Sequence, residues 1–427
     1  MRLAKVLLTW ASLCVSAAAQ ADDAITAAQE FRTICGADAG ALWGVSLCGP
    51  LLIVDPSTRA AWGTQPDSNG VLSPSDNQGG WVGTLPPNIG IANTAADWGG
   101  VRWSMILAPL PTISEERRVL LAHEAWHRIQ DQIGLSAVGS DNAHLSAEQG
   151  RYFMRLEMRA LATALMSASA ARRRAALDAL AFRRARLALF PDATSDEAAL
   201  DRNEGLAAYT GVKLGAGQNA AIFAARSLGA YDRHSALARA YAYATGPAYG
   251  LLLDEFQPDW RRRLTNFAPA DLLAMALRAP QLSDRQLSRL ERRYGGPTVA
   301  REERDRAAAE RTRVAELRNR YSVGPRLVLP LSQAQMEFDP NQVTPVDGLG
   351  SYYSRLTLRD RWGEIIADEG ALISADFQWV SVAQPAPDGQ SGPGWRLRLA
   401  PGLVVVEPGA DGRSEKRRVG KECRSRW

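Results

Sequence analysis

Two histidines and a glutamate form the group of side chains best suited to chemistry in this sequence. His123, Glu124 and His127 follow the order H-E-x-x-H, and the 427-residue chain contains only four histidines. Histidines four residues apart project from the same face of a helix, so both imidazoles can reach one metal ion. Glu124 stands beside His123, where its carboxylate can take a proton from a water molecule that the metal activates. The pattern predicts a hydrolytic metal site, and the alternative is a helix whose histidines are merely partnered polar groups.

The residues around the motif favour a helix over residues 114–134. Ser114 is a candidate N-cap, and Glu115 and Glu116 place negative charge in the first turn, where it complements the helix dipole. Gly134 suits the C-terminal end of the helix. Apolar residues recur in between, so we expect the face behind the histidines to be buried.

Two histidines do not complete a catalytic zinc site, which needs a third protein ligand and one open position. The metzincin pattern fails because Gln130 and Ile133 stand where glycine and histidine are needed. The segment N-E-G-L-A-A-Y-T-G at 203–211 resembles the E-G-L-A-x-Y signature of peptidase MA-type gluzincins. The resemblance implies an exported bacterial metallopeptidase with Zn²⁺ as cofactor and Glu204 as the third ligand.

Two nearer acids compete with Glu204 for the place of third ligand. Between His127 and Glu204 lie 76 residues, more than gluzincins usually have, so an inserted helical pair must lie between them. Glu148 follows His127 after 20 residues, which is close to the usual spacing, and Glu157 lies in an amphipathic segment. Each could instead be a surface or salt-bridged acid, and the choice among the three stays open at this point.

The resemblance also implies roles for residues around the ligands. A tyrosine often steadies the oxyanion in such enzymes, and Tyr209 fits by position, with Tyr243 and Tyr249 as looser candidates. The strand expected at 101–107 precedes the metal helix, and we expect it to pair with an extended peptide substrate along its edge. Two acids on the same helical face as Glu204 are candidates to orient the imidazoles: Asp201 and Glu197.

The first residues have the pattern of a secretory signal peptide. Arg2 and Lys5 precede the apolar stretch 6–19, which is too short to span a membrane, and small residues around 17–21 offer cleavage sites. No other stretch is long and apolar enough to cross a bilayer. We therefore expect residues 1–21 to be removed and the mature protein to be exported, periplasmic or secreted, with no membrane span.

The last fifteen residues look foreign to the rest of the chain. The segment 413–427, RSEKRRVGKECRSRW, resembles the translation of a common sequencing-adapter oligonucleotide, and it holds two of the four lysines. The rest of the chain uses arginine almost exclusively. We therefore expect this tail to be an artefact and to make few packing contacts, the alternative being a genuine basic tail.

The net charge and the number of cysteines change when residues 1–21 and 413–427 are left out. The formal net charge of the chain is +4, whereas residues 22–412 carry −3, so the calculated basicity is no evidence for nucleic-acid binding. Only Cys35 and Cys48 remain, and two cysteines in an exported chain most simply form a disulfide. Two buried thiols are the alternative.

The distribution of apolar residues predicts an α+β protein. Residues 22–112 look strand-rich, with an apolar run at 51–54 and an alternating pattern at 101–107 that predicts a strand with one face buried. Residues 113–320 look helical and would form the zincin-like domain that carries the histidines. Residues 321–412 return to strand signals and would form a small C-terminal β region.

The leading interpretation is a zinc metallopeptidase that acts on a peptide or protein substrate, with Glu124 as general base. A zinc hydrolase of another amide bond, such as one in the cell wall, is the first alternative. A secreted binding protein that keeps the helix without catalysis is the second. A third acid beside the histidines and a cleft that reaches them would favour an enzyme.

Overall fold

The computed structural model describes the following residues: 17–75, 79–136, 139–265, 267–339, 342–346, 348–406 and 416–421. The chain divides into two compact units, Met1–Arg301 and Glu302–Trp427. After a first helix, strands, helices and again strands follow one another along the chain, which confirms the α+β class. Of the expected signal peptide, residues 1–21, the first sixteen residues lie outside the described part of the chain. Within the described part of the chain, no helix combines the length and the apolar character needed to cross a bilayer.

A helix precedes the strands of the first unit, although the sequence favoured strands from residue 22 onward. Helix α1 is Ala17–Asp38, and its buried residues recur every three or four positions, as a helix packed on one side requires: Ala24, Ala27, Ala28, Phe31 and Cys35. Six strands then follow: β1 (Leu51–Val54), β2 (Ala60–Gly63), β3 (Ser73–Pro74), β4 (Trp81–Thr84), β5 (Thr94–Trp98) and β6 (Val101–Leu107).

These six strands form one sheet in the order β3-β4-β2-β1-β6-β5. Strands β1 and β6 are parallel, and β6 pairs antiparallel with β5 on its other side, so that Trp98 faces Val101. Strand β5 is therefore an edge strand among the described residues, and β6 is an inner strand. The four residues of β1 are all buried, as expected for an apolar run at the centre of a sheet.

Ten helices follow in the described chain: α2 (Ser114–Ile129), α3 (Glu148–Met166), α4 (Ser169–Leu189), α5 (Ala193–Leu200), α6 (Leu206–Gly215), α7 (Ala220–Tyr231), α8 (Leu237–Phe256), α9 (Pro269–Leu277), α10 (Asp284–Arg293) and α11 (Gly296–Arg318). The apolar faces of α2, α3, α4, α6, α7, α8 and α9 join α1 and one face of the sheet in a single core around the fully buried Trp126 and Tyr209. Helices α3 and α4 occupy the long interval before Glu204, as the inserted helical pair was expected to do.

The second unit begins within helix α11, and strands follow that helix: β7 (Arg326–Pro330), β8 (Gln335–Phe338), β9 (Val343–Val346), β10 (Gly350–Tyr353), β11 (Leu356–Asp360), β12 (Gly363–Ala367), β13 (Ala371–Ser374), β14 (Trp379–Ala383), β15 (Ser391–Gly392), β16 (Trp395–Leu399), β17 (Leu403–Val406) and β18 (Lys416–Lys421). In the described residues they form two sheets, ordered β17-β18-β7-β14-β13-β10-β9 and β15-β16-β12-β11-β8. A core of its own holds this unit together, with Trp362 and Trp395 buried in it.

Strand β18 lies within the tail that the sequence analysis treated as foreign. It pairs antiparallel with β17 and parallel with β7. The expectation that the tail makes few packing contacts is therefore wrong for residues 416–421, because β17 and β7 accept their backbone as a neighbouring strand. The foreign origin of the tail stays a prediction.

Candidate metal centre

Helix α2 positions the H-E-x-x-H motif by packing against strand β6. The Nε atom of Arg102, in β6, donates a hydrogen bond to the carbonyl of Arg128 at 3.1 Å, and the same guanidinium pairs with Asp131 at 2.9 Å. The start of β6 therefore meets the end of α2, and the two elements run antiparallel. Ser114 does not cap this helix as expected; Ile113 precedes the first turn, and the Ser114 hydroxyl donates to Glu30 at 2.5 Å.

The two faces of α2 have different surroundings. One face is buried in the core and includes Leu121, Ala125 and Ile129. The other face carries His123 and His127, whose Nε2 atoms lie 3.2 Å apart. Four-residue spacing stacks the two imidazoles one turn apart, as the sequence predicted.

Glu204 brings a third ligand atom to the two histidines. Its Oε2 atom lies 3.3 Å from Nε2 of His123 and 3.5 Å from Nε2 of His127. In the described residues these three side chains form a group able to hold a metal ion. Of the three acids that the sequence left open, Glu204 is the one that the structure brings to the histidines.

The spacing of these atoms suits a tetrahedral ion. Two ligand atoms bound about 2.0–2.1 Å from a tetrahedral centre are about 3.4 Å apart, close to the separations observed among His123, His127 and Glu204. The Oε2 atom of Glu204 is buried and has no hydrogen-bond partner in the described structure. Leaving a buried carboxylate oxygen unsatisfied is costly, so an ion at this point would fit the residues present.

A π-helical turn, Asp201–Gly205, carries Glu204 into position at the start of α6. Gly246 of α8 lies directly against the backbone of Gly205, so a side chain at position 246 would have no room. Gly211 and Gly215 of α6 lie equally close to the backbone of α2. The small residues of this segment do allow close approach, but the glycines that approach the metal helix are Gly211 and Gly215 rather than Gly205.

The two competing acids, Glu157 and Glu148, do not line the cleft that reaches the histidines. Glu157 is buried and accepts hydrogen bonds from Arg186 at 2.5 Å and from the Tyr249 hydroxyl at 2.6 Å. Glu148 begins helix α3 and does not line the cleft that reaches the histidines. Tyr249, one of the looser tyrosine candidates, is likewise turned into the core.

The expected role of Glu197 and Asp201 in orienting the imidazoles is wrong. Glu197 pairs with Arg186 at 2.6 Å, and Asp201 pairs with Arg183 at 2.7 Å, all four being buried. These ion pairs hold the turn that carries Glu204 against α4, because a buried charge needs a partner of opposite sign. His144 joins them by contacting Glu197 at 2.8 Å.

The side-chain amides of Gln130 and Asn203, which no sequence motif indicated, orient the imidazole of His127 and the carboxylate of Glu204. The Nδ1 atom of His127 lies 3.1 Å from Oε1 of Gln130, and Nε2 of Gln130 donates to Asn203 at 3.0 Å. Asn203 in turn donates to Oε1 of Glu204 at 3.1 Å. This chain leaves Nε2 of His127 free to bind a metal and links two of the three ligands. Gln130 stands three residues after His127 on the same face, a signal that helical spacing alone provides.

Glu124 lies beside the ligands without joining them. Its Oε1 atom is 3.9 Å from Nε2 of His123, and its side chain is only 5% exposed. Burial raises the pKa of Glu124 above its ordinary value. Burial also acts on Glu204, but the imidazoles of His123 and His127 hold the pKa of that carboxyl well below its usual range.

The tyrosine beside the ligands is Tyr243, not Tyr209. The hydroxyl of Tyr209 points to Asp254 at 2.9 Å, next to Arg261, and its ring is fully buried. Five residues along a helix turn a side chain to the far side, so Tyr209 faces away from Glu204. The ring of Tyr243 stacks on His123 with 5.4 Å between centroids.

A cleft of about 930 Å³ reaches the three ligands. Its walls come from β5, α2, α6, α7 and the start of α8, and Thr94 and Ala95 of the edge strand line it. The expectation that β6 offers its edge to a substrate is wrong, because β1 and β5 already pair with both of its sides. The free edge next to the cleft belongs to β5.

The loop between the two cysteines supports the metal helix from behind. Cys35 and Cys48 form a disulfide in the structure, with their Cα atoms 5.1 Å apart. Within the loop, Nε1 of Trp43 donates to Thr210 of α6 at 2.9 Å, and its ring meets the edge of Trp126 of α2 at 5.9 Å. The loop therefore packs against both helices that carry metal-site residues.

Comparisons of the chain with protein-family models, with curated proteins and with solved structures find no match.

Proposed function

We propose that this protein is a zinc-dependent metallopeptidase. The observation that carries the proposal is the convergence of His123 Nε2, His127 Nε2 and Glu204 Oε2 within 3.2–3.5 Å of one another. Two imidazoles and one carboxylate are the protein ligands of a known class of catalytic zinc sites, which leave one position open. Glu124, beside them in the same cleft, adds the acid–base group that hydrolysis needs.

The residues of the site have distinct parts in the proposed reaction. A zinc ion held by the three ligands would supply Lewis acidity, polarising the scissile carbonyl and lowering the pKa of a water molecule. Glu124 takes the proton of the attacking water and delivers it to the leaving amine. Tyr243, which lines the cleft and stacks on His123, would donate a hydrogen bond from its hydroxyl to the oxyanion that develops.

The edge strand β5 supports a peptide as the substrate. An extended peptide can add to a free strand edge through main-chain hydrogen bonds, whatever its side chains are. Thr94 and Ala95 of β5 line the cleft together with His123 and Glu204. A peptide bound along β5 would therefore pass the ligands.

Export belongs to the same proposal. The N-terminal signal pattern predicts it, and a disulfide between Cys35 and Cys48 persists in oxidising compartments outside the cytosol. A cell-wall amide is the alternative substrate in such a compartment.

Metal content and hydrolysis of the purified protein test the proposal together. After dialysis, the wild type should retain about one zinc ion per chain and cleave unstructured peptides. Glu124→Gln should keep the zinc and lose activity by a factor on the order of 10²–10⁴, since the amide cannot accept the proton. Glu148→Gln, outside the cleft, should change neither property.

Three results would count against the proposal. A wild type that binds no zinc removes the metal site. Equal turnover by Glu124→Gln and wild type removes the assigned base. Hydrolysis of purified peptidoglycan without hydrolysis of any peptide favours the cell-wall alternative.

A further inference from the structure

One cation in the cleft has no partner in the described structure. Arginines line the cleft at two positions, Arg102 and Arg226. Arg102 is neutralised by Asp97 at 2.6 Å and Asp131 at 2.9 Å. Arg226 is exposed and forms no hydrogen bond or ion pair with any described residue.

Helix α7 places Arg226 on the side of the helix that lines the cleft. The helix buries its opposite face in the core through Ala220, Ala224 and Leu228. The cleft is lined by the other side of the helix: Phe223, Arg226, Ser227, Ala230 and Tyr231. Arg226 therefore stands among the residues that a bound substrate would touch.

Chain direction indicates which part of a substrate would meet Arg226. Strand β5 is antiparallel to β6, and α2 is also antiparallel to β6, so β5 and α2 run the same way. A peptide pairing antiparallel with β5 would enter near Asp131, at the end of α2, and leave near Ile113, before its start. Residues on the C-terminal side of the scissile bond would then lie toward the first turns of α2.

Arg226 lies on that side of the metal ligands. Helix α7 is preceded by Asn219, whose side chain donates to Glu115 in the first turn of α2 at 3.1 Å. The helix ends at Tyr231, which lines the cleft together with Tyr243 beside the ligands. Arg226 is five residues before Tyr231, about 7.5 Å along the helix axis, a distance that about two residues of an extended peptide cover.

We infer that Arg226 binds a carboxylate of the substrate on the C-terminal side of the scissile bond; the inference rests on the proposed peptidase function. A guanidinium presents paired donors that match the two oxygens of a carboxylate. Glu115 and Glu116 line the same end of the cleft without pairing with Arg226, so its donors are available. The carboxylate is either an Asp or Glu side chain or the free C-terminus of a short peptide.

A mixture of proteome-derived peptides, with cleavage sites read by mass spectrometry, tests the inference. Wild type should show enrichment of Asp and Glu at one position after the scissile bond, or cleavage at a constant distance from the C-terminus. Arg226→Ala should abolish that preference, and Arg226→Glu should replace it with a preference for Lys and Arg. Arg174→Glu makes the same charge change at an exposed residue of α4 away from the cleft, and it should behave as wild type.

Matched peptides distinguish the two sources of the carboxylate. Each preferred substrate is compared with its Asn or Gln counterpart and with its C-terminal amide. Loss of the relevant charge should lower kcat/KM roughly tenfold in wild type and leave Arg226→Ala unaffected. Calorimetric titration of the Glu124→Gln protein with the same peptides provides a binding readout that does not depend on turnover.

The possible outcomes separate this inference from the function on which it rests. Peptide cleavage without any carboxylate preference, or with a preference that persists in Arg226→Glu, overturns the inference and leaves the peptidase intact. Absence of peptide cleavage by zinc-loaded wild type overturns both. A carboxylate preference that disappears in Arg226→Ala, while Arg174→Glu retains it, supports both.

Discussion

At the scale of single residues, one carboxylate oxygen supplies the third ligand atom that two histidines need to form a metal site. The Oε2 atom of Glu204 is within 3.5 Å of both imidazole Nε2 atoms. Its other oxygen is held by Asn203. Glu204 therefore serves as a ligand in the proposed site and also fixes the position of its neighbours.

Removal of Glu204 should weaken zinc binding steeply. Glu204→Ala leaves two histidines, and we expect it to lose at least about tenfold in zinc affinity, as ligand-shell mutations typically do. Metal analysis after dialysis against graded chelator concentrations measures this. Glu148→Ala is the matched control and should bind zinc as wild type does. Full zinc retention by Glu204→Ala would show that the third ligand is elsewhere.

Asp201 should make the stability of the protein depend on pH. Burial raises its pKa from 3.8 to about 6, although Arg183 opposes this. The folded state then binds the proton more tightly than the unfolded state. The free energy of unfolding should therefore rise by up to about 3 kcal/mol as pH falls from about 6 to about 4. The charged groups that act on Asp201 lie on α4, α5 and α3: Arg183, Glu197 and Glu157.

Comparison with Asp201→Asn isolates this contribution. Other carboxylates, such as Glu197 and Asp232, have lowered pKa values and lose stability in acid, so the total pH profile mixes both signs. Urea unfolding of both metal-free proteins at several pH values gives the difference in the free energy of unfolding. We expect the free energy of unfolding of wild type to increase relative to that of Asp201→Asn as pH falls. A difference that is constant from pH 4 to 7 would contradict the raised pKa of Asp201.

At the scale of secondary-structure elements, close packing of glycines sets the position of the third ligand. The turn before α6 meets α8 at Gly205 and Gly246, and α6 meets α2 at Gly211 and Gly215. Side chains at Gly246, Gly211 or Gly215 would clash with the facing backbone and move these elements apart. Glu204, on the turn that leads into α6, depends on these contacts because it must reach two imidazoles on α2.

The substitution Gly246→Ala should therefore disturb both stability and metal binding. Its added methyl group would clash with the backbone of Gly205, and overpacking of this kind typically costs about 1–3 kcal/mol. Thermal unfolding and zinc affinity should both decline. Gly229→Ala on α7 is the control, because a methyl group there meets open space and should slightly stabilise the helix. Unchanged zinc affinity in Gly246→Ala would show that the packing does not control the ligand.

At the scale of the whole molecule, the two units have separate hydrophobic cores. The core of the first unit surrounds Trp126 and Tyr209, and that of the second surrounds Trp362 and Trp395. All three candidate ligands belong to the first unit. Zinc should therefore act on the stability of only one of them.

Calorimetry with and without zinc tests this expectation. Two unfolding transitions should appear, and zinc at about 1,000 times its Kd should stabilise one of them by about 4 kcal/mol. The other transition should stay at the same temperature when zinc is removed with a chelator. Equal shifts of both transitions, or no shift in either, would contradict the assignment of the metal to the first unit.

The sequence by itself determined what depends on neighbours within one or two helical turns. His123, Glu124 and His127 lie within a single turn, so their spacing alone places both imidazoles on one face of α2. The bounds of strands β1 and β6 likewise follow from their apolar patterns. The expectation that β6 buries only one face is wrong, because β6 is an inner strand and residues 103–106 are all buried. Helical periodicity alone also indicates that Tyr209 faces away from Glu204, so its assignment to the oxyanion could have been rejected from the sequence.

Only the tertiary structure decided what depends on distant segments. Glu204, Glu157 and Glu148 are all acids in helical segments, and the ion pair of Glu157 with Arg186 is what sets it apart. Strand β5, rather than β6, lies at the edge of the sheet because of the order of the strands. No local sequence pattern determines that order. Among the described residues Arg226 has no charged partner, and this depends on the positions of acidic residues in other elements. Contacts of this kind join residues far apart in the chain, and local spacing carries no information about them.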